Sequence, residues 1–336
     1  MAEFNFRESV TQGIKEAGGW TNAHAHADRA YTITPETLHL SRLSLKDKWS
    51  AVDQIKRDST STDVYDRMAR VAENMLHQGV TAFGTFIDVD EAIRDRAIMA
   101  ALRLRETFGR DIDLVFANQA LKGVLDPEAS VWFNVAAEFV DIIGGLPARD
   151  KGREREHLDV LLETAKWRGK MVHVHVDQNN TPQERETELL IDKVREHGME
   201  GKVVGVHGIS IAAQPLDYRN WLYSQMEDVG LGMIACPWAW IDDQRLEESA
   251  PIHNALTPID EMIPRGITVA LGTDNILDIY KPSSEGEMWP ELKLLYDGNH
   301  YYDMEQIIRV GSVNGRLLLG LPIRSPIHSN GAVKVS

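Results

Sequence analysis

The chain has 336 residues, 43% hydrophobic and 26% charged, enough for a large core and too apolar for a disordered polymer. Its formal net charge of −15 argues against nucleic acid or an anionic membrane surface as a partner. Its one cysteine, Cys236, rules out an internal disulfide, and with a polar N-terminus and no apolar run near the ~20 residues of a membrane span, a soluble cytoplasmic protein is expected.

Along the chain, short β-rich runs alternate with longer amphipathic stretches. Strands are predicted over 19–26, 79–87, 112–118, 139–143, 170–176, 202–207, 230–235 and 266–272. Helical patterns cover 64–78, 91–108, 129–138, 153–168, 182–197, 215–228, a short 258–263 and a closing 304–319. The 182–197 helix is expected to be capped by Thr181 and to end at His197-Gly198. Such alternation implies parallel strands joined by right-handed crossovers. Eight units predict an α/β fold, a closed (β/α)8 TIM barrel forming one domain over 1–336. The open doubly wound sheet is the rival, but no Gly-x-Gly-x-x-Gly follows a strand.

A barrel carries its chemistry at the C-terminal ends of its strands. His24 and His26 end the first strand, one small residue apart, so both imidazoles project the same way. Gln119 follows Asn118 at the end of the third. His173 and His175 lie on the fifth, followed by Asp177, Gln178, Asn179 and Asn180. His207 ends the sixth and Asp274 follows the eighth. Five of the twelve histidines fall on three strand ends, which favours a metal centre over chance proximity on a loop.

The expected ligands are His24, His26, His175 and Asp274, leaving a position for water whose pKa a metal lowers to about 7. Asp274 is the expected general base, and His207 would orient the water or stabilise a developing oxyanion. One divalent ion is expected, zinc by ligand type, with iron and manganese also compatible. The strand-four end, Ile143-Gly-Gly-Leu-Pro-Ala148, offers no lysine for a bridging carbamate. His173 is expected to sit one layer deeper, packed there or supporting a ligand rather than being one. His39, His77, His157, His197, His300 and His328 are expected in solvent, and His253 in a structural loop. Asp28 would anchor Arg29 or a ligand histidine, Cys236 would fill the barrel, and Trp238 and Trp240 would wall the pocket or pack its rim.

With these motifs in order, the chain resembles the amidohydrolase superfamily, within it the branch of cytosine deaminase and N-isopropylammelide hydrolase. The resemblance rests on His24-Ala-His26-Ala-Asp28-Arg29, Phe116-Ala-Asn-Gln119, Val140-Asp-Ile-Ile-Gly-Gly-Leu-Pro147, His175-Val-Asp-Gln178, His207 and Gly272-Thr-Asp-Asn275. It implies that Gln119 is presented to a pyrimidine-like ring. It also exposes three departures. Gln178 stands where the branch has a proton-shuttling glutamate, a role an amide cannot fill. Asn275 stands where the branch has a second aspartate. The small β-sandwich common in the branch is expected to be absent, since the first strand begins near residue 19 and little follows Leu321.

The expected activity is therefore metal-dependent hydrolysis of a C–N bond in a small cyclic or heteroaromatic amide, imide or amidine. Asp177, or Asp274 with His207, would supply the proton that Gln178 cannot. Gln119, Gln178, Asn179, Asn275 and Trp240 would line the pocket, and Arg29, Lys122 or Arg149 would bind a carboxylate on a substrate that has one. An aminohydrolase of a pyrimidine or triazine is the alternative, and a non-catalytic metal-binding barrel the third reading. The partner is a small heterocycle, and the resemblance implies a homo-oligomer.

Overall fold

The computed structural model describes residues 4–241 and 256–324. Its eight strands are β1 (Trp20–Asn22), β2 (Val80–Asp88), β3 (Asp113–Gln119), β4 (Ile142–Gly145), β5 (Met171–Val176), β6 (Val203–His207), β7 (Gly232–Ala235) and β8 (Val269–Leu271). Each pairs in parallel with the next, in the order β1 to β8. The ends of the sheet meet as well. Ala23 N donates to Leu271 O at 2.9 Å, Asp274 N to His24 O at 3.0 Å and His26 N to Asp274 O at 3.2 Å. The eight strands thus form the expected (β/α)8 barrel. Among the described residues every named strand belongs to this sheet, so none builds a separate sandwich.

The helices are α1 (Phe6–Glu16), α2 (Leu45–Asp58), α3 (Ser61–His77), α4 (Arg96–Phe108), α5 (Pro127–Phe139), α6 (Glu154–Arg168), α7 (Glu186–His197), α8 (Leu216–Val229), α9 (Ile259–Met262), α10 (Met288–Gly298), α11 (Met304–Gly311) and α12 (Val313–Leu318). None of the described helices is long and apolar enough to cross a membrane. Strands flanked by helices bury both faces, which is why runs such as Val203-Val-Gly-Val206 are continuously apolar rather than alternating. Inward residues Ala23, Ala82, Phe86, Val115, Ala117, Ile142, Val204, Val206, Ile234 and Ala270 fill the barrel, with Leu318 and Leu319 of the C-terminal segment packed against them.

Two predicted helices change shape. The one predicted from Pro182 begins at Glu186, because Asp177 rather than Thr181 satisfies its free amides, accepting from Glu186 N at 2.7 Å and Thr187 N at 3.2 Å. Gln214 holds the preceding loop through Pro182 O and Glu184 O. The closing helix breaks at Ser312 (φ −137°, ψ −92°), whose hydroxyl donates back to Ile308 O. Helices α1, α2 and α10 were not foreseen. Of these α2 matters most here. Its Leu45, Trp49 and Val52 cluster with Leu121, Leu146, Ile279 and Tyr280 from the loops after β3, β4 and β8, so it roofs one side of the C-terminal mouth.

Candidate functional site

Beyond β1 the chain stays hydrogen-bonded between β2 and β8, Ala25 O accepting from Phe86 N at 2.8 Å. His24 and His26 therefore both face the barrel axis, their ring centroids 4.9 Å apart. His175 from β5 comes to 4.9 Å from His24 and 5.6 Å from His26, and His207 at the end of β6 to 5.4 Å from His175. Asp274 joins from the turn after β8. Its Oδ1 lies 3.3 Å from His24 Nε2 and 3.1 Å from His26 Nε2. Three non-glycine residues at these strand ends hold positive φ, Asp177 (52°), His207 (80°) and Asp274 (56°). Such backbone costs of order 1–3 kcal/mol each and gathers at functional sites.

The ring nitrogens test whether a metal fits. Both nitrogens of His24, Nδ1 of His26, Nε2 of His175 and Nδ1 of His207 are buried without a hydrogen bond. An orphaned buried nitrogen is costly, and so many converging ones match the donor set of a borderline-soft divalent cation. The ligand atoms of His24, His175 and His207 lie within 4.8 Å of one another, as do those of His24, His26 and Asp274. His175 Nδ1 donates to Gly145 O at 3.2 Å, which fixes the tautomer and leaves the Nε2 lone pair toward the cluster.

Electrostatics keep these groups in ligand form. Burial holds the His26 imidazole down to about 3, with the Arg29 charge adding to it, and burial takes His207 to about 3 as well. Burial also lowers His24 and His175. For Asp274 burial opposes ionisation, but Lys281 first and then the two histidines outweigh it and hold the carboxyl well below its usual range. Lys281 is fully buried, its Nζ 3.2 Å from Asp274 Oδ2 and 3.2 Å from Thr273 O. No sequence pattern marks this lysine, since only the fold of the loop after β8 returns it to Asp274.

The structure brings some expected residues to the mouth and diverts others. Gln119 is buried at the end of β3 with Oε1 unpartnered. Gln178 is half-buried in the turn after β5. Asp177 does not join the cluster, because both its oxygens bind the start of α7, and burial pushes it up to about 6. Asn179 is held by Glu184, and Asn275 donates to Asp278 Oδ2 at 2.6 Å. The side chain of Trp240 lies outside the described residues, as do His253 and His328. His157, expected in solvent, is buried. Its Nδ1 donates to Asp150 at 2.6 Å while Nε2 accepts from Leu146 N at 3.2 Å, so it braces the turn after β4. His173 sits below the cluster, as expected, donating to Leu318 O at 2.8 Å. Asp28 binds Asp88 N at 2.7 Å, while Arg29 pairs with Asp88 at 2.8 Å.

One further buried acid was not foreseen. Glu291 on α10 accepts from Trp238 N at 3.1 Å through Oε2, and its Oε1 has no partner. Burial pushes it up to about 8, with Lys281 and Asp274 among its charged neighbours.

The model of the amidohydrolase family matches residues 17–325. An uncharacterized protein of Haemophilus influenzae is 54% identical over 264 residues, 77% of this chain and 96% of that one. The N-isopropylammelide isopropyl amidohydrolase of a Pseudomonas species is 24% identical over 288 residues, 84% of this chain and 68% of that one. The crystal structure of 5-methylcytosine deaminase from Klebsiella pneumoniae superposes with a TM-score of 0.84 at 24% identity, covering 92% of this chain and 78% of that one.

Proposed function

The chain belongs to the amidohydrolase family, and from that premise we propose that it hydrolyses a C–N bond in a small cyclic or heteroaromatic amide, imide or amidine. The observation that carries the reading is the convergence of four buried histidines, with nitrogens lacking partners, on the Asp274 carboxylate. His24, His26, His175 and Asp274 would hold one divalent ion, zinc by ligand type, with iron or manganese as alternatives. Such an ion supplies a Lewis acid that polarises a carbonyl-like carbon and acidifies water at neutral pH.

The chain's own groups do the rest. Asp274, kept ionised by Lys281, accepts the proton of the attacking water. His207, neutral at pH 7, donates to or orients the oxygen on the reacting carbon. Gln119 offers its unpartnered Oε1 to a ring N–H. Gln178 can hydrogen-bond the ring but cannot carry a proton, and Asp177, bound to α7, does not replace it in this reading. A homo-oligomer in the cytoplasm completes the proposal.

A second reading, an aminohydrolase of a pyrimidine or triazine, draws on the names of the deaminase and the ammelide hydrolase that the chain resembles. Metal analysis of the purified protein, with a mass-change screen of cyclic amides, imides and aminopyrimidines, tests both. Bound metal and a gain of water without ammonia is the expected result, and Asp274→Ala should lower turnover by at least about 10²-fold. Ammonia release would move the protein to the second reading. No metal, and no turnover after adding zinc, iron or manganese, would remove the first.

A further inference from the structure

The mouth of the barrel holds several cations, and nearly all of them have anionic partners. Arg29 pairs with Asp88 at 2.8 Å and approaches Asp278 at 3.7 Å. Lys56 sits on Asp90 at 2.5 Å and Asp88 at 3.2 Å. Lys122 binds Asp53 at 2.5 Å, and Lys281 binds Asp274. Arg149 differs. It lies in the one-turn 3-10 segment Pro147–Asp150 directly after β4, four residues beyond the carbonyl that orients His175. Its guanidinium makes no ion pair or hydrogen bond among the described residues, and its Nε is buried without a partner.

The neighbouring carboxylates are committed elsewhere. Asp53 faces Lys122 and, at 3.6 Å, Arg57. Asp150 accepts from His157 at 2.6 Å and from Val124 N at 2.8 Å. What holds Arg149 is Trp49 of α2, whose ring lies 4.9 Å from the guanidinium carbon. A ring set over the guanidinium carbon takes up none of its N–H donors, and the terminal amino groups of Arg149 make no hydrogen bond among the described residues. Tyr280, from the loop that also returns Lys281 to Asp274, packs in the same cluster as Trp49 and Leu146. The Arg29 guanidinium lies 5.0 Å from the Tyr280 ring and Lys48 Nζ 6.0 Å from it. Arg149 is only half-buried, so a ligand can reach it.

We propose that Arg149, braced on Trp49, is an anion-binding subsite in the turn after β4 at the mouth, and that the substrate is a heterocycle bearing a carboxylate. A planar carboxylate suits the unused guanidinium edge, which can bind it through two parallel hydrogen bonds. The inference rests on the hydrolase reading for the ring that the carboxylate decorates, but binding tests it apart from turnover. Burial of the guanidinium lowers its affinity for its proton, while Tyr280, Asp53 and Asp150 act in the opposite direction.

Uracil and orotate, which is uracil carrying one carboxylate, are the probes, titrated calorimetrically into the metal-loaded wild type, Arg149→Gln and Arg149→Lys. Orotate is expected to bind wild type at least about tenfold more tightly than uracil, with Arg149→Gln erasing that preference and leaving uracil binding unchanged. Arg149→Lys, which keeps the charge without the planar fork, should retain part of it. Equal affinity for the two probes, a preference that survives Arg149→Gln, or no binding of either probe would overturn the subsite. Binding of orotate through Arg149 with no hydrolysis across the heterocycle screen would instead uphold the subsite and remove the hydrolase reading.

Discussion

Glu291 and Asp274 are buried carboxyls that share a lysine neighbour, yet their environments drive them apart. Lys281 touches Asp274, and with two histidines it keeps that group ionised. Glu291 has one backbone donor, Trp238 N, against its burial, and rises to about 8 from 4.5. The consequence for stability has a definite sign. In the unfolded chain this carboxyl loses its proton near 4.5, while the folded metal-free protein keeps it to about 8. The folded state thus binds more protons in that window, and stability falls as pH rises through it. Glu291→Gln removes the slope without changing the shape of the side chain. Metal-free Glu291→Gln should therefore melt above metal-free wild type at pH 8, with the gap closing toward pH 4.5. A gap independent of pH would show that Glu291 is ionised in the folded protein. The residues legible in the sequence were those whose geometry is local. His24 and His26 face one way because a strand alternates its side chains, and His175 and His207 follow from their places at strand ends. Lys281, Glu291 and the diversion of Asp177 depend on how loops fold back, which no spacing encodes.

Element by element, the barrel strands were legible because each is an apolar run between helical patterns, although β1 proved shorter and β4 lay further along than predicted. Helix α2 was missed although Ser44 accepts from Asp47 N at its start. Much of its 14-residue span is charged, which masks a buried stripe of Leu45, Trp49 and Val52. The glycines of β4 explain why that strand is so plain. A Cβ on Gly144 would lie 2.0 Å from Asn118 O and 2.5 Å from the Phe86 ring, and the Asn118 amide already exchanges two 3.0 Å hydrogen bonds with the Gly144 backbone. The first obstacle is backbone, which cannot swing aside. Gly144→Ala should therefore cost at least the ~1–3 kcal/mol of an overpacked core, seen as a lower melting temperature or loss of soluble protein. Because His175 is oriented by the neighbouring Gly145 carbonyl, metal affinity should fall with it. Unchanged stability would mean that β3 and β4 can separate here.

Across the whole molecule, the proposed ligands come from distant parts of the chain. His24 and His26 follow β1, His175 lies on β5 and Asp274 follows β8. They meet only when the barrel is closed, so the unfolded chain has no such site and an ion bound there would stabilise the folded state alone. At a free metal concentration 100 times the dissociation constant the gain is about 2.7 kcal/mol. It acts at the seam between β1 and β8, where His24 O and Asp274 O accept the hydrogen bonds that close the sheet. Chelation should thus lower the melting temperature, and zinc added back should restore it. Asp274→Ala removes one ligand and the partner of Lys281, so its response to chelation should be much smaller than that of wild type. His173→Gln, one layer below and outside the cluster, should keep the full response even where its own stability is reduced. If His173→Gln lost the response and Asp274→Ala kept it, the ion would be held by a different set of groups from the one proposed.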